Sequence, residues 1–400
     1  MVEKRIRRIL VEQEARDYAM TRRILARLPA LPVEVIRDRE ALNTSGRDRA
    51  AWLALAKTTL LLAVQKGPFW RDCPGTRDYI CCGYQVLQVT LNCPMDCTYC
   101  VLQGYVNVPA ITVFVNVEDL LEELETRWAE HPDQVWRLGT GEFGDSLALD
   151  GLMGLNELLI PRFAGQGQSV LEIKSKWPQL EHLLSLGPNR QVIFAWSLNP
   201  AEIIPGEEKF AASLESRLQA AARAVAAGFR VAFHFDPLIY FPGWEEAYQR
   251  TAERLGAAVP SQAIAWISLG GLRLLPPLRQ LILQRFPRSR IAAQEMVLAP
   301  DGKLRYFKSL RVEMYARMRE WLNHATPEAL LYLWREAPGS VRRPSGSLLT
   351  GKAFPVYWTD ESCPATKGDG LFRTVLPLTL RPRSPVPGEE KSSCRRTRTP

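Results

Sequence analysis

From about residue 86 to residue 285, short apolar runs alternate with longer stretches whose apolar positions return every three or four residues. The short runs read as strands and the periodic stretches as amphipathic helices. Strands are predicted at 86–91, 135–138, 170–173, 192–196, 231–235 and 263–269. Helices are predicted between and after them, at 117–130, 152–161, 178–186, 207–227, 244–256 and 276–285. The fourth helix shows the logic: Phe210, Leu214, Leu218 and Val225 recur at helical spacing, and Gly228 supplies the stop. Strand and helix alternating six times imply parallel strands joined by right-handed crossovers. The fold class is therefore α/β, and the expected architecture is a partial (β/α)6 TIM-like barrel.

Outside this core the pattern changes. Residues 1–65 read as a helical N-terminal extension. One stretch runs from Arg5 to Arg27 and a second from Ala50 to Val64, with Pro29 and Pro32 breaking the pattern between them. The barrel is expected over 66–323 and a C-terminal appendage over 324–380. Residues 381–400, rich in Pro, Ser and Arg, read as a disordered basic tail. No apolar run is long enough to span a bilayer. The basic N-terminus lacks the apolar core of a signal peptide, so a cytoplasmic protein is expected.

Each predicted strand runs into a polar or glycine-rich segment. In order these are Asn92–Cys100, Gly139-Thr-Gly-Glu142, Lys174-Ser-Lys176, Ser197-Leu-Asn-Pro200, His234-Phe-Asp-Pro237 and Ser268–Arg273. The carboxyl ends of parallel strands line one face, where active sites of such folds are built. Six motifs at six strand ends therefore predict one shared pocket.

Eight cysteines change the picture, because five of them fall between Cys81 and Cys100. Clustering in a cytosolic chain points to metal or redox chemistry rather than to a disulfide framework. Cys93, Cys97 and Cys100 are spaced C-x3-C-x2-C. Thiolates are soft ligands that suit iron–sulfur clusters or zinc. Three of them on a 4Fe–4S cubane leave one iron open to chelate S-adenosylmethionine (SAM), and one electron into the sulfonium then gives a 5′-deoxyadenosyl radical. The alternative is a structural zinc site, which needs a distant fourth ligand; Cys73, Cys81 and Cys82 are the candidates.

The cysteine spacing is the radical SAM signature, with Tyr99 as its aromatic before the last cysteine. The chain further resembles the spore photoproduct lyase family of radical SAM enzymes over about 66–322. The matching stretches are Cys73–Thr76, Tyr79–Tyr84, Asn92–Gln103, Trp196–Pro200, Phe233–Pro237 with Gly243–Glu246, and Arg305–Lys308 with Arg311–Tyr315. The resemblance implies a 4Fe–4S cluster on Cys93, Cys97 and Cys100, and repair of a DNA pyrimidine photoproduct. It implies SAM contacts from Glu142, Lys176 and Ser197, with Asn199 as a neighbour. His234, at a strand end, is a further candidate to bind SAM or carry a proton. Two departures stand out. The lyase's hydrogen-donating cysteine corresponds to Gly139, and a tyrosine expected after the last cluster cysteine is Val101. Tyr99, Cys81 and Cys82 are the remaining candidates for the redox role.

The net charge is +8, with fourteen basic against six acidic residues over 271–343. A basic C-terminal third suits a polyanion such as DNA, with Arg273, Arg305, Lys308 and Arg311 as candidate phosphate contacts. An electron donor such as a flavodoxin or ferredoxin is the other expected partner. Two rival functions stay open on residues alone: a radical SAM enzyme acting on a small molecule, peptide or RNA, and a zinc-stabilised nucleic-acid-binding protein.

Overall fold

A computed structural model describes residues 5–42, 48–74, 83–166 and 169–334. The expected disordered tail, most of the expected C-terminal appendage, and Cys81 and Cys82 lie outside the described residues.

The dominant element is a curled, open sheet forming a half-barrel. Its parallel strands, in chain order, are β1 (Gln85–Leu87), β2 (Arg137–Gly139), β3 (Val170–Ser175), β4 (Val192–Ser197), β5 (Arg230–Leu238), β6 (Ile264–Gly271) and β7 (Leu331–Leu333). Neighbours in sequence are neighbours in space from β1 to β7, and an antiparallel strand, Trp70–Asp72, closes the β1 edge. Strands covered on both faces lose the alternation of half-exposed ones. Every residue of β4 and of β6 is buried accordingly. Five of the six expected strands are present with ends shifted by a few residues, whereas the first, expected at 86–91, is split: Gln85–Leu87 lies in the barrel and Thr90–Leu91 in a second sheet. The seventh, β7, pairs with β6 and brings residues assigned to the appendage into the barrel.

The N-terminal region departs from the expectation of a helical extension. Its two helices, Ala19–Arg27 and Arg49–Ala56, alternate with strands Arg8–Glu12, Val33–Ile36 and Thr59–Ala63. These strands run parallel and continue through Ile111–Phe114 to a short antiparallel strand, Thr90–Leu91. The reason is burial: all five residues of Thr59–Ala63 and four of five in Arg8–Glu12 are inside. A short, continuously apolar run has no period to separate strand from helix. This second sheet crosses the expected 65/66 boundary, and its last strand leads directly into the cysteine loop.

Helices pack outside the barrel. Val117–Glu130 and Pro276–Arg285 begin and end where expected. Helix Leu214–Ala226 starts seven residues later than expected, because Ser213 caps it by accepting the Ser216 N–H at 3.2 Å. Phe210, placed on that helix by periodicity, is instead 55% exposed, with φ of 64°. An eighteen-residue helix, Lys308–Ala325, was not anticipated. No helix among the described residues is long and apolar enough to cross a membrane.

Candidate active site

The cysteine loop is held from three sides. Asn92 adopts φ of 75°, and its side-chain oxygen accepts the Cys93 N–H at 2.8 Å. Buried Lys57 donates to that oxygen and to the carbonyls of Cys93 and Met95, each at 2.8 Å. Arg285 forks onto Asp96 at 3.1 Å. Gln103 donates to Thr98 O at 2.8 Å from the far side. A loop tied at so many points presents its side chains in one geometry, which a cofactor site requires.

Cys93, Cys97 and Cys100 are free thiols lining one end of a cavity of about 280 Å3 at the carboxyl ends of the strands. Burial, with Asp145 nearby, pushes the Cys93 thiol up. Burial pushes Cys97 up to about 12, against the pull of Lys176. Such thiols are inert until a soft metal displaces the proton. By donor chemistry and placement the three fit a thiolate-ligated iron–sulfur cluster. Cys73 packs elsewhere, in a smaller core with Tyr84 and Val86. Among the described residues no three His, Cys, Asp or Glu side chains are placed to hold a single metal ion.

Glu142, Lys176 and Ser197 line the same cavity as the cysteines. Strand periodicity explains Lys176: Glu172, Lys174 and Lys176 share one face of β3 and its continuation, so the row climbs from the barrel interior to its mouth. Asp145 fixes the turn there, accepting the Lys176 N–H at 2.8 Å and the Ser175 hydroxyl at 2.7 Å. Tyr99 also lines the cavity, but its hydroxyl donates to Glu208.

Glu208 is the residue that sequence reasoning missed. Its fully buried carboxylate receives Tyr99, Arg217 and Asn199, the last at 2.8 Å, with Lys176 Nζ at 3.9 Å. Burial alone raises its pKa, yet Arg217 and Lys176 outweigh burial and lower it to about 2. Burial likewise opposes the Lys176 charge, and Glu208 reverses the balance, so the ammonium is retained. Asn199, an expected cofactor neighbour, sits behind the wall: it joins Glu208 to the Tyr248 hydroxyl at 2.9 Å and does not line the cavity. The available signal for Glu208 was the Ser213 cap, which takes residues before it off the helix.

His234 also departs from expectation. It lies below the main cavity, between Glu172 (Nε2 to Oε1, 2.6 Å) and Ser268 (Nδ1 to Oγ, 2.6 Å). Arg137 forks onto Glu172 at 2.9 and 3.0 Å and reaches Tyr332 at 2.9 Å. Burial outweighs Glu172 and lowers the His234 pKa to about 4, so the ring is neutral at pH 7. Five strands, β2, β3, β5, β6 and β7, are thus laced across the barrel interior. Above this network a Cβ on Gly139 would meet the Tyr84 hydroxyl at 2.1 Å and Glu172 O at 2.6 Å. Tyr84 fills the space that a side chain at 139 would occupy, and its buried hydroxyl has no hydrogen-bond partner among the described residues.

The basic candidates separate. Arg273 lines the cavity and pairs with Asp236 at 3.2 Å. Lys303, not anticipated, lines it as well. Lys308 is exposed, and Arg311 donates to Tyr306 O at 2.5 Å. Arg305, expected to meet phosphates, is instead 2% exposed and bound to Asp301 at 2.6 Å, so its guanidinium is already used inside the protein.

A parallel half-barrel carrying three cysteines on one loop, beside a cavity at the strand ends that Glu142, Lys176 and Ser197 also line, is the arrangement of an enzyme of the radical SAM type. A family model described as spore photoproduct lyase matches residues 5–331. The chain belongs to that family and is a lyase of the radical SAM type. Among its relatives, the spore photoproduct lyase of Bacillus subtilis (strain 168) is 23% identical over 293 residues, covering 72% of this chain and 84% of the relative. That of Clostridium acetobutylicum is 21% identical over 310 residues, covering 77% and 88%. A solved spore photoproduct lyase double mutant, with bound AdoMet and dinucleoside spore photoproduct, shares the fold. It superposes with a TM-score of 0.72 at 21% identity, covering 82% of this chain and 99% of the other.

Proposed function

We propose that this chain cleaves SAM reductively at a 4Fe–4S cluster on Cys93, Cys97 and Cys100 and repairs a pyrimidine photoproduct in DNA. The observation that carries the reading is the single cavity shared by those cysteines with Glu142, Lys176 and Ser197. A 4Fe–4S cluster held by Cys93, Cys97 and Cys100 would, when bound, supply the one-electron reduction that SAM cleavage requires. The chain's own residues do the rest. Lys176, kept charged by Glu208, is the partner for the SAM carboxylate, and Ser197 offers it a hydroxyl. Glu142 takes the SAM ammonium. Asn199 acts indirectly, by holding Glu208. Arg273, Lys303 and Lys308 meet the lesion's phosphates, and a flavodoxin- or ferredoxin-type protein delivers the electron. The bound lesion and AdoMet in solved relatives support this assignment.

The hydrogen-return step is where this chain differs from the lyase pattern, since Gly139 has no thiol and Tyr84 fills its place. Cys81 and Cys82 stay as candidate donors.

The test is anaerobic reconstitution with iron and sulfide, then dithionite and SAM, with and without DNA carrying pyrimidine photoproducts. The expected result is 5′-deoxyadenosine formation that rises with lesion-bearing DNA, together with loss of the lesion. Turnover indifferent to every lesion would end the repair assignment, and a chain that takes up no iron would end the cluster assignment too.

A further inference from the structure

Three consecutive carbonyls of the cysteine loop face cations from the N-terminal unit. Lys57 holds those of Cys93 and Met95 at 2.8 Å, and Arg5 donates to that of Pro94 between them. The third bond of Lys57 goes to Asn92 Oδ1, the atom that also orients Cys93. Lys57 is 2% exposed. Among the described residues its hydrogen-bond partners are three neutral oxygens, and no carboxylate pairs with it. Taking an ammonium out of water without a counter-ion is unfavourable. The end of the two-turn helix before it, Arg49–Ala56, supplies only a fractional negative charge. Among the described residues no carboxylate in direct contact supplies the compensating charge, and the thiolate-bound group that the loop would carry is the place for it.

We propose that Lys57 is a positioning residue whose ammonium is the fixed counter-charge of the cluster, fixing the Cys93 loop and raising the cluster's reduction potential. The proposal rests on the cluster assignment above. Reduction adds one negative charge to the site, and a desolvated cation beside it favours the reduced state, since net charge is one of the protein's levers on cluster potential. Arg5, half-buried on the same row of carbonyls, adds a weaker contribution. The arrangement also explains why the N-terminal unit belongs to the site: strand Thr59–Ala63 and the helix before it place Lys57 under the loop.

The test compares the full-length chain with Lys57→Arg, Lys57→Gln, Lys57→Met and Arg5→Gln, each reconstituted anaerobically. Iron per chain, far-UV circular dichroism and the cluster midpoint by spectroelectrochemical titration are read. The expected result is a midpoint lowered by at least about tenfold in the one-electron equilibrium, about 59 mV, in Lys57→Gln and Lys57→Met. Lys57→Arg retains most of the wild-type value, and Arg5→Gln falls less but in the same direction. Equal midpoints at equal iron content in all variants would overturn the proposal. Should both neutral Lys57 variants hold no iron, Arg5→Gln decides: an unchanged midpoint overturns it and a lowered one sustains it. Amide exchange at residues 93–97 in iron-free protein reads the positioning part separately. Exchange faster in Lys57→Gln than in wild type supports that part, and equal exchange refutes it. A wild-type chain that never takes up iron defeats the cluster assignment, and with it the counter-charge, while leaving that exchange result interpretable.

Discussion

Gly139 and Tyr84 show how one missing side chain is tied to another that is present. The β2 backbone passes so close to the Tyr84 hydroxyl that any Cβ must displace it. Gly139→Ala is expected to lower stability by about 1–3 kcal/mol, the usual cost of overpacking. Gly139→Ala made together with Tyr84→Leu should recover part of that loss in a denaturant titration. Fully additive losses would show that the two positions do not share this space. Glu208 is a second residue-scale case. Glu208→Gln leaves the fully buried Arg217 without its counter-ion, a change that costs about 3–5 kcal/mol at buried pairs. Adding Arg217→Met should return much of that stability. Because the folded-state pKa of Glu208 is depressed to about 2, its contribution is present above the ordinary carboxylate range. It is lost as pH falls toward 2.

At the scale of elements, the decisive feature is where helix Leu214–Ala226 begins. Extending it backward by periodicity absorbs Glu207 and Glu208 into a regular helix and hides the carboxylate that organises the site. The cap at Ser213 frees those residues to cross over the cysteine loop, where Glu208 pairs with Cys97 in a short antiparallel ladder. Ser213→Ala removes the acceptor for the Ser216 N–H and is expected to cost about 1 kcal/mol. Thermal denaturation should show a small, uniform loss, with the midpoint returning in Ser213→Asp. An unchanged midpoint in Ser213→Ala would mean that the first turn draws nothing from the cap. The same scale explains the N-terminal strands. Leu60, Leu61 and Leu62 are each about as buried as residues can be, and such a run carries no alternation to mark it as a strand.

For the molecule as a whole, the half-barrel is closed internally by charge and hydrogen bonding. His234, Glu172, Arg137, Ser268 and Tyr332 join five of the seven strands. His234 titrates near 4 when folded, below its ordinary value of 6.5. Between those values the unfolded chain binds the extra proton, so stability rises with pH across that window and falls on acidification through it. An acid unfolding series should therefore show loss of stability beginning near pH 6.5, well above the carboxylate range. In His234→Gln the slope between pH 4 and 6.5 should flatten. A wild-type profile already flat there would contradict a neutral, buried imidazole.

The sequence by itself determined the α/β alternation, the order of six barrel strands, the cysteine loop and the ring of polar motifs at the strand ends. Each is written locally: short apolar runs alternating with stretches of helical period for the elements, C-x3-C-x2-C for the thiols. Tertiary structure alone decided which polar side chains reach the cavity and which are spent inside the wall. Lys176 and Ser197 face it, while Asn199, His234 and Arg305 are consumed by buried partners. Those partners stand 9, 62 and 4 residues away in the chain. Whether a polar group is free for chemistry depends on what burial forces it to bind, and no local pattern records that.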